Sequence, residues 1–373
     1  QLDSAAWAYR ELARLVPDNY RPWQELGRIE QQLGKRASAR AAYQKSVLID
    51  SSRANVISMA GLGEIYAQQG PADSASYYFA KALRADPSNE LVHMLAISHF
   101  IEQDSLPAAL THSVRLAQIA PDNKHVRRRL GLIYLDLDSL QQADSVFTDL
   151  IDSGDRNWFN YSYLGEIDLR QDKFSDAVRQ FEKAIKRNDT VAGLWLNKGL
   201  ALRNLDNDDA AIDTYREGLT SVSNPAGRSA LLFNMAVIYE QSDKIDSSIQ
   251  SFESLLEIDP DNAQALNYLG YMLADRNMRL DYARQLIERA VGFQPNNAAF
   301  LDSYGWVHYR LGNYDEAIKY LEQAVQLDSD AVIFDHLGDA YHAVGDSDLA
   351  RQWWQRALEL EPDNDAIREK INR

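Results

Sequence analysis

The sequence predicts an all-α protein assembled from about ten copies of one helical hairpin. The first observation behind this prediction is a proline tripeptide that recurs along the chain. It reads PDN at 17–19, 121–123, 260–262 and 362–364, PSN at 87–89, and PNN at 295–297. The steps between successive prolines are 70, 34, 139, 35 and 67 residues, each close to a multiple of 34. A fixed period of this length is the signature of a repeat architecture, in which each unit packs only on its neighbours.

The second observation is that small and large side chains keep fixed places within this period. With proline numbered 32, position 8 is glycine in eight repeats, position 20 is almost always alanine, and position 24 is large, as in Tyr43, Phe79 and Phe181. Positions 4, 7, 8 and 11 share one face of a first helix, and positions 20, 24 and 27 share one face of a second. Small residues at positions 8 and 20 let the two helices approach closely, and large residues at positions 11 and 24 fill the space beside them. Between them we expect a short polar turn, and the proline ends the second helix.

These residues resemble a tetratricopeptide repeat. The resemblance is clearest in LGDAYHAVGDSDLARQWWQRALELEP (337–362), and it extends over the whole chain. It implies a right-handed superhelix, an α-solenoid, whose first helices line a concave surface. The domain prediction is a single solenoid over 1–373, with a half-repeat at 1–19 and a C-terminal cap helix starting within 365–373. The full repeats are predicted to start near residues 20, 56, 90, 124, 158, 192, 229, 263, 298 and 331.

Four departures interrupt the period. Two residues are added near Ala54, three near Ala226–Arg228 and one inside 276–282, and one residue is lost near 330. We expect each departure to alter the local superhelical twist.

Composition and motifs argue against several classes of function. The net charge of −16 disfavours nucleic acid as a partner, because phosphates would be repelled. The absence of cysteine excludes disulfides and thiolate zinc sites. No phosphate-binding loop and no zinc-protease or serine-hydrolase motif is present, so we predict neither an enzyme nor a cofactor. His336, Asp339 and His342 are spaced like metal ligands, but we interpret them as part of an exposed polar helix face. No apolar run is long enough to span a membrane.

Repeats 6 to 9 carry apolar, aromatic and amide side chains where the hairpin packing does not need them. They lie on the first-helix face opposite the packed one, and such a surface is typical of an interaction site. The predicted partner-binding groove comprises Leu196, Asn197, Leu200, Arg203, Phe233, Asn234, Val237, Asn267, Tyr268, Tyr271, Trp306, Tyr309 and Arg310. Asn197 and Asn234 share position 6, where peptide-binding repeats use an amide to hold an extended backbone. Self-association and simple burial of this stripe are the alternatives.

A second resemblance concerns residues 265–325. Their pattern LNYLGYMLAD, then ARQLIERA, then LDSYGWVHYRLG is similar to a block found in bacterial outer-membrane lipoprotein adaptors of the periplasm. This resemblance implies a periplasmic location and a lipidated cysteine before Gln1, with the cytoplasm as the other possibility.

We therefore expect a non-catalytic scaffold or adaptor that binds a partner protein or an extended peptide in its concave groove. The alternative is a structural subunit of a larger assembly, or a protein that self-associates. The identity of the partner, the oligomeric state and the pathway served stay open at this stage.

Overall fold

Every regular element in residues 1–372, the part of the chain described by the computed structural model, is helical. This confirms the predicted fold class. The residues group into two compact units, Gln1–Arg187 and a second that begins at Asn188. That one solenoid runs over 1–373 stays a prediction. Arg373, the last residue of the predicted cap, lies outside the described residues.

Unit 1 contains one single helix followed by five helical hairpins. In each hairpin the two helices are consecutive in sequence and pack along each other, and the first helices of the early hairpins also contact one another. The helices are α1 Leu2–Leu15, α2 Tyr20–Gln32, α3 Arg36–Ile49, α4 Val56–Gln69, α5 Ala72–Ala85, α6 Glu90–Glu102, α7 Leu106–Ile119, α8 Lys124–Asp136, α9 Leu140–Asp152, α10 Trp158–Arg170 and α11 Phe174–Ile185.

Unit 2 contains five further hairpins and a short final helix. Three successive pairs of its first helices contact each other: α12 with α14, α16 with α18 and α18 with α20. The helices are α12 Ala192–Arg203, α13 Asp208–Ser221, α14 Pro225–Gln241, α15 Ile245–Ile258, α16 Ala263–Asp275, α17 Leu280–Phe293, α18 Ala298–Arg310, α19 Tyr314–Leu327, α20 Ala331–Ala343, α21 Ser347–Leu360 and α22 Asp365–Ile371.

The recurring tripeptide marks the start of a helix. All six of its asparagines occupy the N-cap, and each side-chain oxygen accepts a hydrogen bond from a backbone N–H of the first turn. Asn123 accepts two such bonds, from the N–H groups of His125 and Val126. The tripeptide therefore separates one hairpin from the next, because proline ends the preceding helix and asparagine begins the following one.

Eight of the ten hairpins are closed by a glycine at position 8 that lies under the large side chain at position 24. A methyl group added to Gly63 would lie 2.5 Å from the ring of Phe79, and one added to Gly165 would lie 2.8 Å from that of Phe181. The Phe79 and Phe181 rings are buried. Glycine is required here because any Cβ would occupy the space of the ring.

The turn inside nine of the ten hairpins depends on one residue with a left-handed backbone. It is position 15 in nine of the ten repeats: Gly34, Asp104, Asp138, Asp172, Asp206, Asp243, Asn277, Gly312 and Gly345. Aspartate, asparagine and glycine are the residues that tolerate this conformation best.

The departures from the period are absorbed locally. The addition near Ala54 forms a short 3-10 turn, Arg53–Asn55, and the addition near 226–228 lengthens α14 to 17 residues. The extra residue inside 276–282 accompanies a second left-handed residue, Arg279, which ion-pairs with Glu253 at 2.9 Å and lies 4.4 Å over the ring of Tyr282.

Two glycines of α12 provide a matched test of the helix contact. A methyl group at Gly199 would overlap the ring of Tyr215, which is buried, whereas one at Gly193 meets nothing within 4 Å. We expect Gly199→Ala to lower the free energy of unfolding by about 1–3 kcal/mol through overpacking. Gly193→Ala should instead raise it by about 0.5–1 kcal/mol, because alanine restricts the unfolded chain. Urea denaturation followed by circular dichroism measures both, and equal stability of the two variants would contradict the close contact.

Candidate partner-binding surface

The residues of the predicted groove all lie on α12, α14, α16 and α18, which are first helices of unit 2. We call this part of the molecule, together with α20, the first-helix surface. Within it Leu200 is the most open of the predicted residues, with 46% of its side chain exposed. Most of the others are half-buried: Leu196, Asn197, Arg203, Phe233, Asn234, Val237, Asn267, Tyr268, Tyr271, Tyr309 and Arg310.

Trp306 corrects one expectation, because its indole is buried and only 7% exposed. The ring stacks on His336 of α20 with centroids 4.0 Å apart and on Tyr309 at 4.9 Å. Arg310 lies 5.6 Å from the same ring. The hairpin of Trp306 leaves this face open, as predicted, but the first helix of the next hairpin covers it. The tryptophan is therefore an internal contact between repeats and not an exposed anchor.

His336 is held by a carboxylate from the preceding hairpin. Its Nδ1 lies 2.8 Å from Oδ1 of Asp302, and both side chains are buried. Burial alone would lower the pKa of His336, but the negative charge of Asp302 outweighs it, and the pKa is raised above its ordinary value. The expectation of an exposed polar face was therefore wrong for His336. In the described chain no group of three or more His, Asp or Glu side chains is arranged for a metal. Asp335 and Asp339 instead pair with Lys370, each at 2.8 Å.

The two asparagines predicted to bind a peptide backbone behave differently. The amide of Asn234 donates to the carbonyl of Ala230 in its own helix at 2.9 Å. Asn234 also lines a cavity on this surface. The side chain of Asn197 forms no hydrogen bond to the described residues, so its amide still offers both its donor and its acceptor.

Two cavities lie side by side on this surface. The serine pocket, of about 330 Å³, is lined by Ser229, Phe233 and Asn234 of α14 together with Asn262 and Gln264. The acidic pocket, of about 270 Å³, lies between α16, α18 and α20. Phe233 of the first and Tyr268 of the second are in edge-to-face contact, with centroids 5.7 Å apart, so the rings form a shared wall.

The acidic pocket carries residues that the sequence prediction named and others that it missed. Asn267, Tyr268 and Tyr271 were predicted. The missed residues are Asp302, Ser303, Asp328, Asp330 and Val332. The signal was present for Asp302, since it precedes His336 by 34 residues, one repeat period, and period-related residues on first helices are neighbours.

Unit 1 carries a smaller candidate surface. On α6, Leu91, Met94 and Ile101 are 52%, 42% and 38% exposed, and a cavity of about 160 Å³ lies between Met94, Arg129 and neighbouring apolar side chains. Arg128 nearby is already used, since it pairs with Asp155 at 2.6 Å.

The arrangement of glycine-closed hairpins and first-helix contacts defines a helical repeat protein, and the comparisons with known proteins name the family. Models of the tetratricopeptide repeat match residues 25–90, 164–226 and 233–298, and further models of the same repeat match 298–331 and 332–364. The chain belongs to the tetratricopeptide repeat family.

Its curated relatives share parts of the chain. TPR repeat-containing protein PA4667 of Pseudomonas aeruginosa is 33% identical over 189 residues, which is 50% of this chain and 32% of that protein. The photosystem I assembly protein Ycf3 of Prochlorococcus marinus is 30% identical over 129 residues, covering 31% of this chain and 73% of that protein. The chain thus spans about a third of the length of the Pseudomonas protein that it matches.

Among solved structures, a tetratricopeptide repeat protein from Parabacteroides merdae aligns with 67% of this chain and 97% of its own, at 16% identity and a TM-score of 0.49. None of the described helices has both the length and the hydropathy to cross a membrane.

Burial predicts opposite outcomes for two apolar residues of the first-helix surface. Trp306→Ala should lower the free energy of unfolding by about 3–5 kcal/mol, because it leaves a cavity between α18 and α20. Leu200→Ala should change it by less than about 0.5 kcal/mol, since that side chain is half exposed. Urea denaturation of the two variants measures both changes. If the Trp306→Ala protein is as stable as the parent, Trp306 is an exposed anchor and not a buried contact.

The Asp302–His336 pair predicts a pH dependence. A histidine whose pKa is raised by folding adds stability below its unfolded pKa of about 6.5, and this is lost as pH rises through the folded value. We expect the urea midpoint of the parent to fall as pH rises above about 6.5, relative to that of His336→Gln, which cannot titrate there. Parallel pH profiles for the two proteins would show that the pair does not contribute.

Proposed function

We propose that the chain is a non-catalytic adaptor that holds an extended segment of a partner protein along the first-helix surface of unit 2. Tetratricopeptide repeat proteins commonly mediate protein–protein interaction and assembly, as the assembly role in the name of the Prochlorococcus relative illustrates. The observation that carries the proposal is the pair of adjoining pockets with the shared wall of Phe233 and Tyr268.

The pockets suit the side chains of an extended peptide. Both are open to solvent at the same surface and separated by one repeat, so neighbouring side chains of one segment can enter them. In each pocket a buried polar atom has no partner among the described residues: Oγ of Ser229 in the serine pocket and Oδ1 of Asn267 in the acidic pocket. Such atoms cost free energy until a ligand supplies the missing hydrogen bond, which favours a polar backbone or side chain as the occupant.

We also propose a periplasmic location with a lipid anchor at the outer membrane, on the strength of the resemblance of residues 265–325 to lipoprotein adaptors. Fractionation of cells that express the tagged full-length gene product tests this. Recovery in the soluble cytoplasmic fraction would contradict the proposed location.

A structural role in a larger assembly is the second candidate, and the exposed apolar face of α6 favours it. Light scattering after size exclusion separates the two roles. The adaptor is expected to elute with the mass of one or two chains, whereas a self-assembling subunit should form larger species that depend on concentration.

If the chain is an adaptor, unit 2 should select extended peptides from a random library. A matched pair of variants then shows whether these peptides bind at the acidic pocket or elsewhere. Val332 is 45% exposed and lines the acidic pocket, whereas Val344 is 46% exposed at the end of the same helix and lines neither pocket. Peptides are first selected with the parent protein. Val332→Arg should then raise their dissociation constants about tenfold or more, because its long side chain folds over the mouth of the pocket. Val344→Arg should bind them like the parent.

Fluorescence anisotropy with the labelled peptides gives the dissociation constants. If both variants bind as the parent does, the peptides use another surface. If the library yields no peptide enriched by the protein, the adaptor proposal is overturned.

A further inference from the structure

The charged residues that line the acidic pocket are all acidic. None of the residues that line it is lysine or arginine, while three are aspartates: Asp302, Asp328 and Asp330. In the described part of the chain no lysine or arginine forms an ion pair with any of the three. A cavity whose charged lining is all acidic is complementary to a donor that carries positive charge.

Each of the three carboxylates is held in place by a hydrogen bond to one of its two oxygens. Oδ1 of Asp302 pairs with Nδ1 of His336, while Oδ1 of Asp328 and of Asp330 accept backbone N–H groups of Ser329 and Val332, all at 2.8 Å. The second oxygen of each carboxylate has no partner among the described residues. The backbone bonds fix two carboxylates without neutralising them, so these oxygens are preorganised for a cation.

Asn267 supplies an independent observation. Its Oδ1 is buried and accepts no hydrogen bond from the described residues. A buried acceptor without a donor costs about 1–3 kcal/mol, and Asn267 is one of the residues that line the pocket. An N–H group bound there would satisfy it.

Tyr268 and Tyr271 complete the wall with aromatic rings. Burial raises the pKa of Tyr271 to about 12, so the ring is neutral at physiological pH and its π face attracts a cation. A planar guanidinium lies flat on such a ring and directs a fork of N–H groups at carboxylates, which a compact ammonium does not match.

We propose that the acidic pocket receives an arginine side chain from the partner segment. This inference rests on the proposed function and adds the chemistry of one ligand position. A bare metal ion is a poor alternative, because a cavity of about 270 Å³ is several times the roughly 30 Å³ share of one water and no metal-ligand cluster lies in the described residues.

The test extends the peptide selection to the identity of the bound side chain. Among peptides selected by the parent we expect arginine to be enriched at one fixed position. Replacing this arginine by citrulline, which keeps the shape and removes the charge, should weaken binding about tenfold or more, and lysine should lie between the two.

Paired variants then locate the arginine in the pocket. Asn267→Asp adds a carboxylate at the unpartnered oxygen. It should raise the affinity for arginine peptides several-fold and leave the affinity for their citrulline versions unchanged. Gln323→Glu makes the same change of net charge on the exposed face of α19, outside both pockets, and should have no effect on either. Asp328→Asn should lower the affinity for arginine peptides several-fold. Asp206→Asn, which removes one charge at a remote turn, should leave that affinity unchanged.

The outcomes separate the two proposals. Selected peptides without a fixed basic position, or with one whose citrulline version binds equally well, would overturn the arginine socket and leave the adaptor function in place. Equal effects of Asn267→Asp and Gln323→Glu would show attraction to the net charge alone and would also overturn the socket. A library that yields no binders overturns both.

Discussion

The contact on which the structure depends is that between the glycine at position 8 and the large side chain at position 24. Gly63 under Phe79 and Gly338 under Trp354 place a first helix and a second helix within one side-chain layer of each other. This closeness fixes which face of the first helix is used inside the hairpin. The opposite face is left for the neighbouring hairpin and for solvent, and every candidate site in unit 2 lies there. The face that a partner could reach is thus set by how closely the two helices of a hairpin approach.

The fold could be predicted from the sequence because its rules are local. Glycine and alanine at fixed spacing, a turn residue and a proline tripeptide each act within a single repeat, and one repeat can be read by itself. The confirmed fold class follows from these alone. Even the lengthened α14 is a local event, since three extra residues before Ser229 extend a helix without moving the contacts that follow.

The candidate site was predicted only in part, because it depends on contacts between repeats. Trp306 lies on the face that its own hairpin leaves open, and that much followed from the periodicity. Its burial comes from His336 in the next hairpin, at a distance set by how successive hairpins pack. Asp302 was missed for the same reason. A carboxylate on an exposed face is unremarkable until a histidine one period later lies against it. Contacts between repeats can therefore be assigned only from the structure, whereas contacts within a repeat can be predicted from the sequence.

The left-handed turn residue has a consequence for the surface charge. Five repeats place aspartate there, at Asp104, Asp138, Asp172, Asp206 and Asp243, where other repeats place glycine or asparagine. All three residue types fit the same backbone, so the turn can gain or lose a negative charge while the helices around it stay as they are. Net charge influences solubility and the rate at which charged partners approach. The turns therefore act as a series of independent sites at which such a protein can adjust its electrostatic field during evolution without altering a packed side chain.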